Sequence, residues 1–485
     1  MYTRIITITF LFAISLSVNL YRLDDHLFFS HEQGRDATAA RGIYTLTDLT
    51  LIGPKTEIPG LFTPPWYYYL LAIPYGLSRG SPHFASFVQI ILMSATAPII
   101  YLLFHKLSVS NHWAFVAGIF TAFSFEFISY TRWLTNVSLA IPISALAFYF
   151  LISHCQTKSQ KYLALYGILA VAASIFQVVL IFQFVFIWLV LTVLKITKLP
   201  QARALVFIAV AAVLVAAPLI LFDFRNQHIS ANAAIDFLNG SSDYPFRFNP
   251  TNALSLYLQE FTTIAKRTLF NYHNPILLLT FAALLTFGLA QFAKTAKVRN
   301  LLVITATMTL MGLGIALFNI GLTQLYLATG IGLILLFTMA MQALWTNPKT
   351  RIAAVILSIL WLVSLTKNLQ LLDQNRGMFF VTIAEGLNYK DQKAALNFIR
   401  NDAAQQEYRL EAFTIPYLKP QGWEYLHQYF FGEGDNKTAK LVYIIIEKNV
   451  EQFWRQKWTE ELGPTDLILS AKFNDITVEK RILKL

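Results

Sequence analysis

The chain has 485 residues, of which 56% are hydrophobic and only 13% charged, with a formal net charge of +11. Soluble domains carry about a quarter charged residues, so soluble globular, disordered and collagen-like classes are excluded and the composition is that of a membrane protein. Residues 371–485 hold 15 basic and 16 acidic side chains, while residues 1–370 hold 23 basic and 11 acidic; the excess positive charge therefore belongs to the membrane part and reports topology, not nucleic-acid binding.

A bilayer crossing needs about 17–25 apolar residues. Apolar runs that meet or approach this length lie at 5–20, 84–104, 113–130, 133–153, 162–176, 177–194, 205–222, 274–291, 301–318, 321–345 and 352–366, which predicts about eleven transmembrane helices. Arg4 followed by the run 5–20 also has the look of a signal peptide, but no small-x-small cleavage site follows, and an uncleaved first span is expected. The short connections holding Lys106, Lys158/Lys161, Lys195/Lys198/Arg203, Lys294/Lys297/Arg299 and Lys349/Arg351 are basic and contain no Asp or Glu, which assigns them to the cytoplasm. They alternate correctly only if 162–194 crosses twice. The N-terminus is then inside and the charged tail outside.

Every carboxylate of the membrane part falls on the external side of this topology, ten of them in the loops 21–83 and 223–270 and Glu126 near the outer end of the third span. That pattern predicts an external functional cavity, built by those two loops. The tail, 385–485, reads as a small soluble α/β domain: strands over 408–415, 440–447 and 467–481, the last a hairpin through Asn474-Asp475, and helices over 389–402, 422–431 and 449–462. Cys155 is the single cysteine, so no intrachain disulfide or multi-cysteine metal site exists.

The first external loop carries the strongest chemical signal. It reads His31-Glu32-Gln33-Gly34-Arg35-Asp36-Ala37, then Leu51-Ile52-Gly53-Pro54, then Pro59-Gly60-Leu61-Phe62-Thr63-Pro64-Pro65-Trp66-Tyr67-Tyr68-Tyr69. On a helix Glu32 and Asp36 share a face, with Arg35 within reach. Such a carboxylate serves as a general base and such an arginine clamps a phosphate; an ordinary solvated loop with a local ion pair would contain the same residue types. Arg132, alone among basic residues in its short external turn, is suited to an anion or to pairing with Glu126. Lys55 and Glu57 read as a loop ion pair, Glu57 otherwise as a carboxylate for an amino-sugar, and Trp66-Tyr67-Tyr68-Tyr69 as a sugar platform, a lipid-groove lining or an interfacial aromatic belt. His26, His31 and Glu32 make at most a partial metal set, and His228 and His273 have no partner at metal spacing.

These motifs resemble the GT-C superfamily of polyprenyl-phosphate-dependent glycosyltransferases, specifically the protein mannosyltransferase and aminoarabinose transferase type, family 39. Aligned on Arg35, Glu32 takes the place of the family's catalytic Asp and Gln33 that of its Glu, while 60–69 is similar to the segment leading into the next membrane element. Tyr130–Asn136 and Pro218–Arg225 are similar as well. The resemblance covers residues 1–370, the transmembrane glycosyltransferase domain. It implies inverting sugar transfer from a polyprenyl-phosphate-linked donor to an extracytoplasmic acceptor (glycan, lipid or protein), with neither cofactor nor metal. Glu32 or Asp36 is then the base, Arg35, Arg132 and Arg225 hold the donor phosphate, and Glu57, Trp66, Tyr67 and Asn136 bind substrate. Glu32 is one methylene longer than the family's Asp, and Gln33 cannot titrate. The competing classes are a lipid or saccharide flippase or transporter and a non-catalytic membrane scaffold.

Overall fold

The computed structural model describes residues 2–484 apart from 57–58, 108–109, 240–247, 273, 295, 377–386, 415–418, 433–435 and 449–451. Among these, eight helices are long and apolar enough to cross a membrane: Tyr2–Leu20 (α1), Pro82–Leu107, Asn136–Thr157, Ala202–Arg225, Pro275–Phe292, Arg299–Ala316, Thr329–Thr346 and Pro348–Asp373. A ninth candidate is the pair Asn111–Ala122 and Phe125–Thr131, bent by 53°. Gln160–Phe176 and Leu180–Val193 are apolar helices of shorter length. Each of the eleven apolar runs thus contains helix, but among the described residues eight, or nine with the bent pair, have the length and composition of a span where about eleven were expected, and the tight pair 162–194 is two shorter helices hinged at Gln177.

Burial follows the membrane pattern. Asn136–Thr157 and Thr329–Thr346 are the innermost helices, and Ala202–Arg225 buries only Ala204. An all-apolar helix has no reason to turn one face inward when lipid is its solvent, so close packing and polar contacts select its neighbours instead. Gly167 does this for Ala202–Arg225, receiving Ile208 where a larger side chain would collide. Inside the bundle, Arg267 pairs with the buried Glu126 and also donates to Ser129 Oγ at 3.3 Å, an arrangement that low-dielectric surroundings require of any charge kept there.

The two long loops read from the sequence contain helices. After α1 come α2 (Leu23–His26), α3 (His31–Tyr44) and α4 (Trp66–Leu77). Helix Pro250–Thr268 stands in the other long loop, and its Glu260 accepts a hydrogen bond from Thr323 Oγ1 at 2.7 Å.

The tail folds as the sequence predicts. Strands β1 (Arg409–Phe413), β2 (Leu441–Ile446), β3 (Thr465–Phe473) and β4 (Ile476–Leu483) form one sheet in the order β1-β2-β4-β3. β1 and β2 are parallel and the other pairs antiparallel. The apolar run Leu441–Ile446 is the buried central strand, as an unbroken hydrophobic strand must be. Asn474 supplies the positive φ of 50° that the tight β3–β4 turn needs. Helices Tyr389–Ala403, Gln421–Phe431 and Gln452–Glu461 complete the domain.

Helix Gln421–Phe431 leaves the tail and packs on α3. Two glycines make this possible: a Cβ at Gly34 would collide with the backbone of Gln421 and Gly422, and one at Gly422 would lie 2.8 Å from the Ser30 carbonyl oxygen. Two turns further along, Arg41 lies 4.4 Å over the Tyr425 ring and hydrogen-bonds Gln428. Tyr425 is fully packed, with its hydroxyl donating to Gly80 O at 2.8 Å. A second clasp joins α2 to the tail through Asp25, which pairs with both Arg22 and Lys390.

Candidate active site

α3 starts at Ser30 with a capping box. The Ser30 backbone N–H and hydroxyl both donate to Gln33 Oε1, at 3.0 and 2.8 Å, which satisfies groups the helix terminus leaves open. Gln33 Nε2 donates in turn to Leu134 O at 2.9 Å. A glutamine suits this position because one amide accepts from the cap and donates across to the next element, which a glutamate cannot do. The Leu134 corner is itself held, since Gln89 Nε2 and Ser138 Oγ both donate to Trp133 O, at 2.7 and 3.0 Å. Gln33 thereby ties the turn carrying Glu32 and Arg35 to the segment carrying Trp133, Thr135 and Asn136.

One turn on, Arg35 Nε and Nη2 contact Asp36 Oδ1 at 2.8 and 2.7 Å. Tyr68 of α4 donates a hydrogen bond to the same carboxylate. Burial pushes the Asp36 pKa up, and the Arg35 guanidinium and the Tyr68 hydroxyl pull it back down. Asp36 is enclosed, whereas its partner Arg35 keeps 39% of its side chain exposed. The carboxylate therefore orients the guanidinium outward.

Glu32 and Arg35 open into a cavity of about 990 Å³, its mouth included. The segment 53–63 supplies Lys55, Thr56 and Thr63, folded back on itself by Gly53 N–H to Thr63 O at 2.8 Å and Thr63 N–H to Pro54 O at 3.1 Å. Trp133, Asn136, Gln177 and Gln324 line the remainder together with apolar side chains. Asn136 Nδ2 donates to Phe176 O at 2.6 Å, joining the corner at 134 to the hinge at 177.

Of the residues expected from the sequence, the structure brings Glu32, Arg35 and Asn136 to this one cavity, with Asp36 directly behind Arg35. Trp66 and Tyr67 stand beside it: Trp66 Nε1 donates to Val215 O at 2.9 Å, and Tyr67 is buried with its ring edge-on to Phe176. Arg132 is enclosed elsewhere. It contacts His26 Nδ1 at 2.7 Å and donates to Val18 O and Tyr21 O, so it closes the C-terminal end of α1. The pairing of Arg132 with Glu126 does not form, because Arg267 takes Glu126. Arg225 is exposed at the end of its helix, away from the cavity lining. Glu57 and His273 lie outside the described residues.

The expected second wall from the 223–270 loop is replaced by residues 320–325, which Glu260 of that loop supports from behind through Thr323. Lys55, read from sequence as half of an ion pair, is a cavity cation. Gln177 and Gln324 carried no signal beyond ordinary span-end polarity. Among the described residues no group of three metal-ligating side chains is clustered.

Chemically, the cavity combines one carboxylate, two cations, several amides and an indole. A carboxylate beside an arginine can accept a proton while the cations stabilise a leaving anion.

No known family's sequence profile matches the chain, and no curated protein sequence matches it. Solved structures do. ArnT from Cupriavidus metallidurans, bound to undecaprenyl phosphate, superposes with a TM-score of 0.59 at 11% identity, covering 97% of each chain. The Archaeoglobus fulgidus oligosaccharyltransferase, in complex with Zn and sulfate, gives a TM-score of 0.50 at 12% identity, covering 91% of this chain and 68% of that one. At such identities the likeness is one of fold. It extends over 97% of the chain for the first of these, and the architecture observed is the one expected, a polytopic helical membrane part followed by a small C-terminal domain.

Proposed function

We propose that this chain is an integral membrane glycosyltransferase that takes a sugar from a polyprenyl-phosphate donor and passes it to an extracytoplasmic hydroxyl. The observation that carries this reading is the convergence of Glu32, Arg35 and Lys55 on one cavity, in a chain with the fold of a protein that binds undecaprenyl phosphate. Basic short connections favour a cytoplasmic N-terminus, with the cavity and the tail on the opposite side.

In the mechanism, Glu32 removes the proton of the acceptor hydroxyl as its oxygen attacks the anomeric carbon. The bond from that carbon to the phosphate oxygen breaks, and polyprenyl phosphate leaves with the electron pair. Attack opposite the leaving group inverts the anomeric configuration. Arg35 and Lys55 neutralise charge developing on the phosphate, and this matters most where water is excluded. Asp36 fixes Arg35 and is not the base, since it is buried behind the guanidinium. Arg132 and Arg225, engaged or remote, take no part in the phosphate site.

The test is transfer from a labelled polyprenyl-phosphate sugar by the purified protein, wild type against Glu32→Gln. Loss of a general base lowers the rate by about 10²–10⁴-fold, so the variant should be that much slower at equal abundance. Equal rates would remove Glu32 from the mechanism, and no consumption of donor by either protein would favour the scaffold reading.

A further inference from the structure

Past the hinge at Gln177, toward the face proposed above as cytoplasmic, lies a second opening that the mechanism does not use. It is a groove of about 680 Å³, its mouth included, between Gln160–Phe176, Leu180–Val193 and the start of Ala202–Arg225. Gly167 and Ala170 come from the first helix, Val185 and Trp188 from the second, and Leu205 and Ile208 from the third. No polar surface is exposed in it. The Tyr166 hydroxyl donates to Phe184 O at 2.7 Å, and the indole N–H of Trp188 is buried. Val185 and Leu205 remain about half exposed, so the groove opens outward from the bundle. Ala202–Arg225 contributes only its first two turns, which places the groove in the half of the membrane that borders the basic connections.

Two of those connections are drawn together at the end of the groove. Gln160 Nε2 donates to Leu199 O at 3.2 Å, its Oε1 accepts from the Gln201 N–H at 3.0 Å, and Lys158 Nζ donates to Ile196 O. Leu163 and Pro200 line the groove there, and Lys161, Lys198 and Arg203 each stand two residues from a lining position. All three are exposed, and no Asp or Glu occurs in the sequence between Glu126 and Asp223. Lys195 is exposed as well and takes a φ of 57°, a conformation that glycine or asparagine adopts at less cost. An apolar groove gains little by taking one hydrocarbon chain over another, because the surrounding lipid tails are equally apolar. Selection therefore comes from the headgroup, and cations at the cytoplasmic end favour a phosphate with net negative charge.

We infer that this groove holds an acyl chain of an anionic glycerophospholipid from the cytoplasmic leaflet, with the headgroup phosphate facing Lys161, Lys198 and Arg203. The donor's polyprenyl chain is a different ligand, since its phosphate belongs to the cavity at the other end of Gln160–Phe176. Ala202–Arg225 buries only Ala204 against protein, so a lipid shared between its first turns and the hinged pair fastens a helix whose side chains otherwise face the bilayer.

The experiment uses bromine on an acyl chain, which quenches the fluorescence of an indole it touches. The full-length protein is placed in phosphatidylcholine vesicles that hold a minor fraction of brominated phosphatidylglycerol or of brominated phosphatidylcholine, and the Trp188 component is obtained by subtracting Trp188→Phe. Half-quenching of Trp188 should need about tenfold less of the phosphatidylglycerol, since each nearby cation adds about fivefold to the binding of an anionic lipid. Lys198→Gln combined with Arg203→Gln, both at exposed positions, should cut that preference about tenfold. Val185→Phe, which places a ring in the groove from a half-exposed position, should reduce the quenching of Trp188 by either lipid. Equal quenching by the two lipids in wild type, or an undiminished preference in the charge variant, would overturn the assignment and leave ordinary lipid contact. Relief of the quenching by added polyprenyl phosphate, at amounts where unbrominated phosphatidylglycerol gives none, would overturn it in favour of the donor's chain. No outcome depends on sugar transfer.

Discussion

Asp36 is a buried carboxylate to which the proposed mechanism gives the task of holding Arg35. It holds Arg35 through Nε and Nη2 and accepts from Tyr68, so α3 and α4 meet at one side chain. Asp36→Asn keeps the shape and removes the counter-charge. The guanidinium would then lose its fixed direction. The expected outcome is a rise in donor KM of about tenfold with a smaller fall in kcat, read from initial rates across donor concentrations, whereas a base would show the reverse split. Nearby, burial and the positive charges of Arg132 and Arg22 push His26 down to about 4. Its native form is therefore neutral, and the unfolded chain binds more protons as soon as pH falls below the ordinary histidine value. Stability associated with His26 is complete above about pH 6.5 and is lost progressively toward pH 4. Thermal midpoints measured at pH 7, 6 and 5 should fall steadily, and His26→Gln should flatten that decline.

At the scale of elements, α3 is positioned from two sides. Gln33 anchors its first turn to the corner at 134, and helix Gln421–Phe431 lies on it through Gly34 and Gly422. Backbone meets backbone there, so an added methyl has no flexible neighbour to displace. Gly34→Ala should tilt α3 and shift Glu32 relative to the cavity, lowering kcat by about tenfold or more, a size consistent with sub-ångström to ångström misplacement of a reacting group. Ala at Gly432, where a Cβ would meet nothing but the positive φ of 74° opposes it, makes a control that strains the tail without touching α3. Equal activity in the two variants would show that the contact is not what sets the site. Much of this arrangement was legible in the sequence. Apolar run length marked where the helices of the membrane part lie, though eight or nine of them rather than eleven have spanning length, and alternation with turn residues marked the tail strands. The motif 31–37 pointed to Glu32, Arg35 and Asp36. What stayed illegible was long-range partnering. A lone external arginine reads the same whether it faces an anion or closes a helix end, as Arg132 does. Gln177 at a span boundary reads as solvent-facing polarity until Gln324, 147 residues later, is seen to bind it.

The molecule as a whole joins its two most distant parts at its most demanding point. Arg41 and Gln428 are 387 residues apart in sequence and touch across the α3 contact. Contacts of such separation form late, because the loop they close is long. A ribosome adds about 5–20 residues per second, so α3 is made on the order of tens of seconds before the helix that completes its setting. Throughout that interval the membrane helices can insert and α2 to α4 can form, yet Glu32 and Arg35 sit on an element lacking half its support. The chain is thereby arranged to finish its chemistry last: a truncated product or a half-inserted intermediate has the lipid-facing scaffold but not the final placement of the reacting groups. If the chain handles an activated sugar, as proposed above, late completion limits wasteful hydrolysis by unfinished copies.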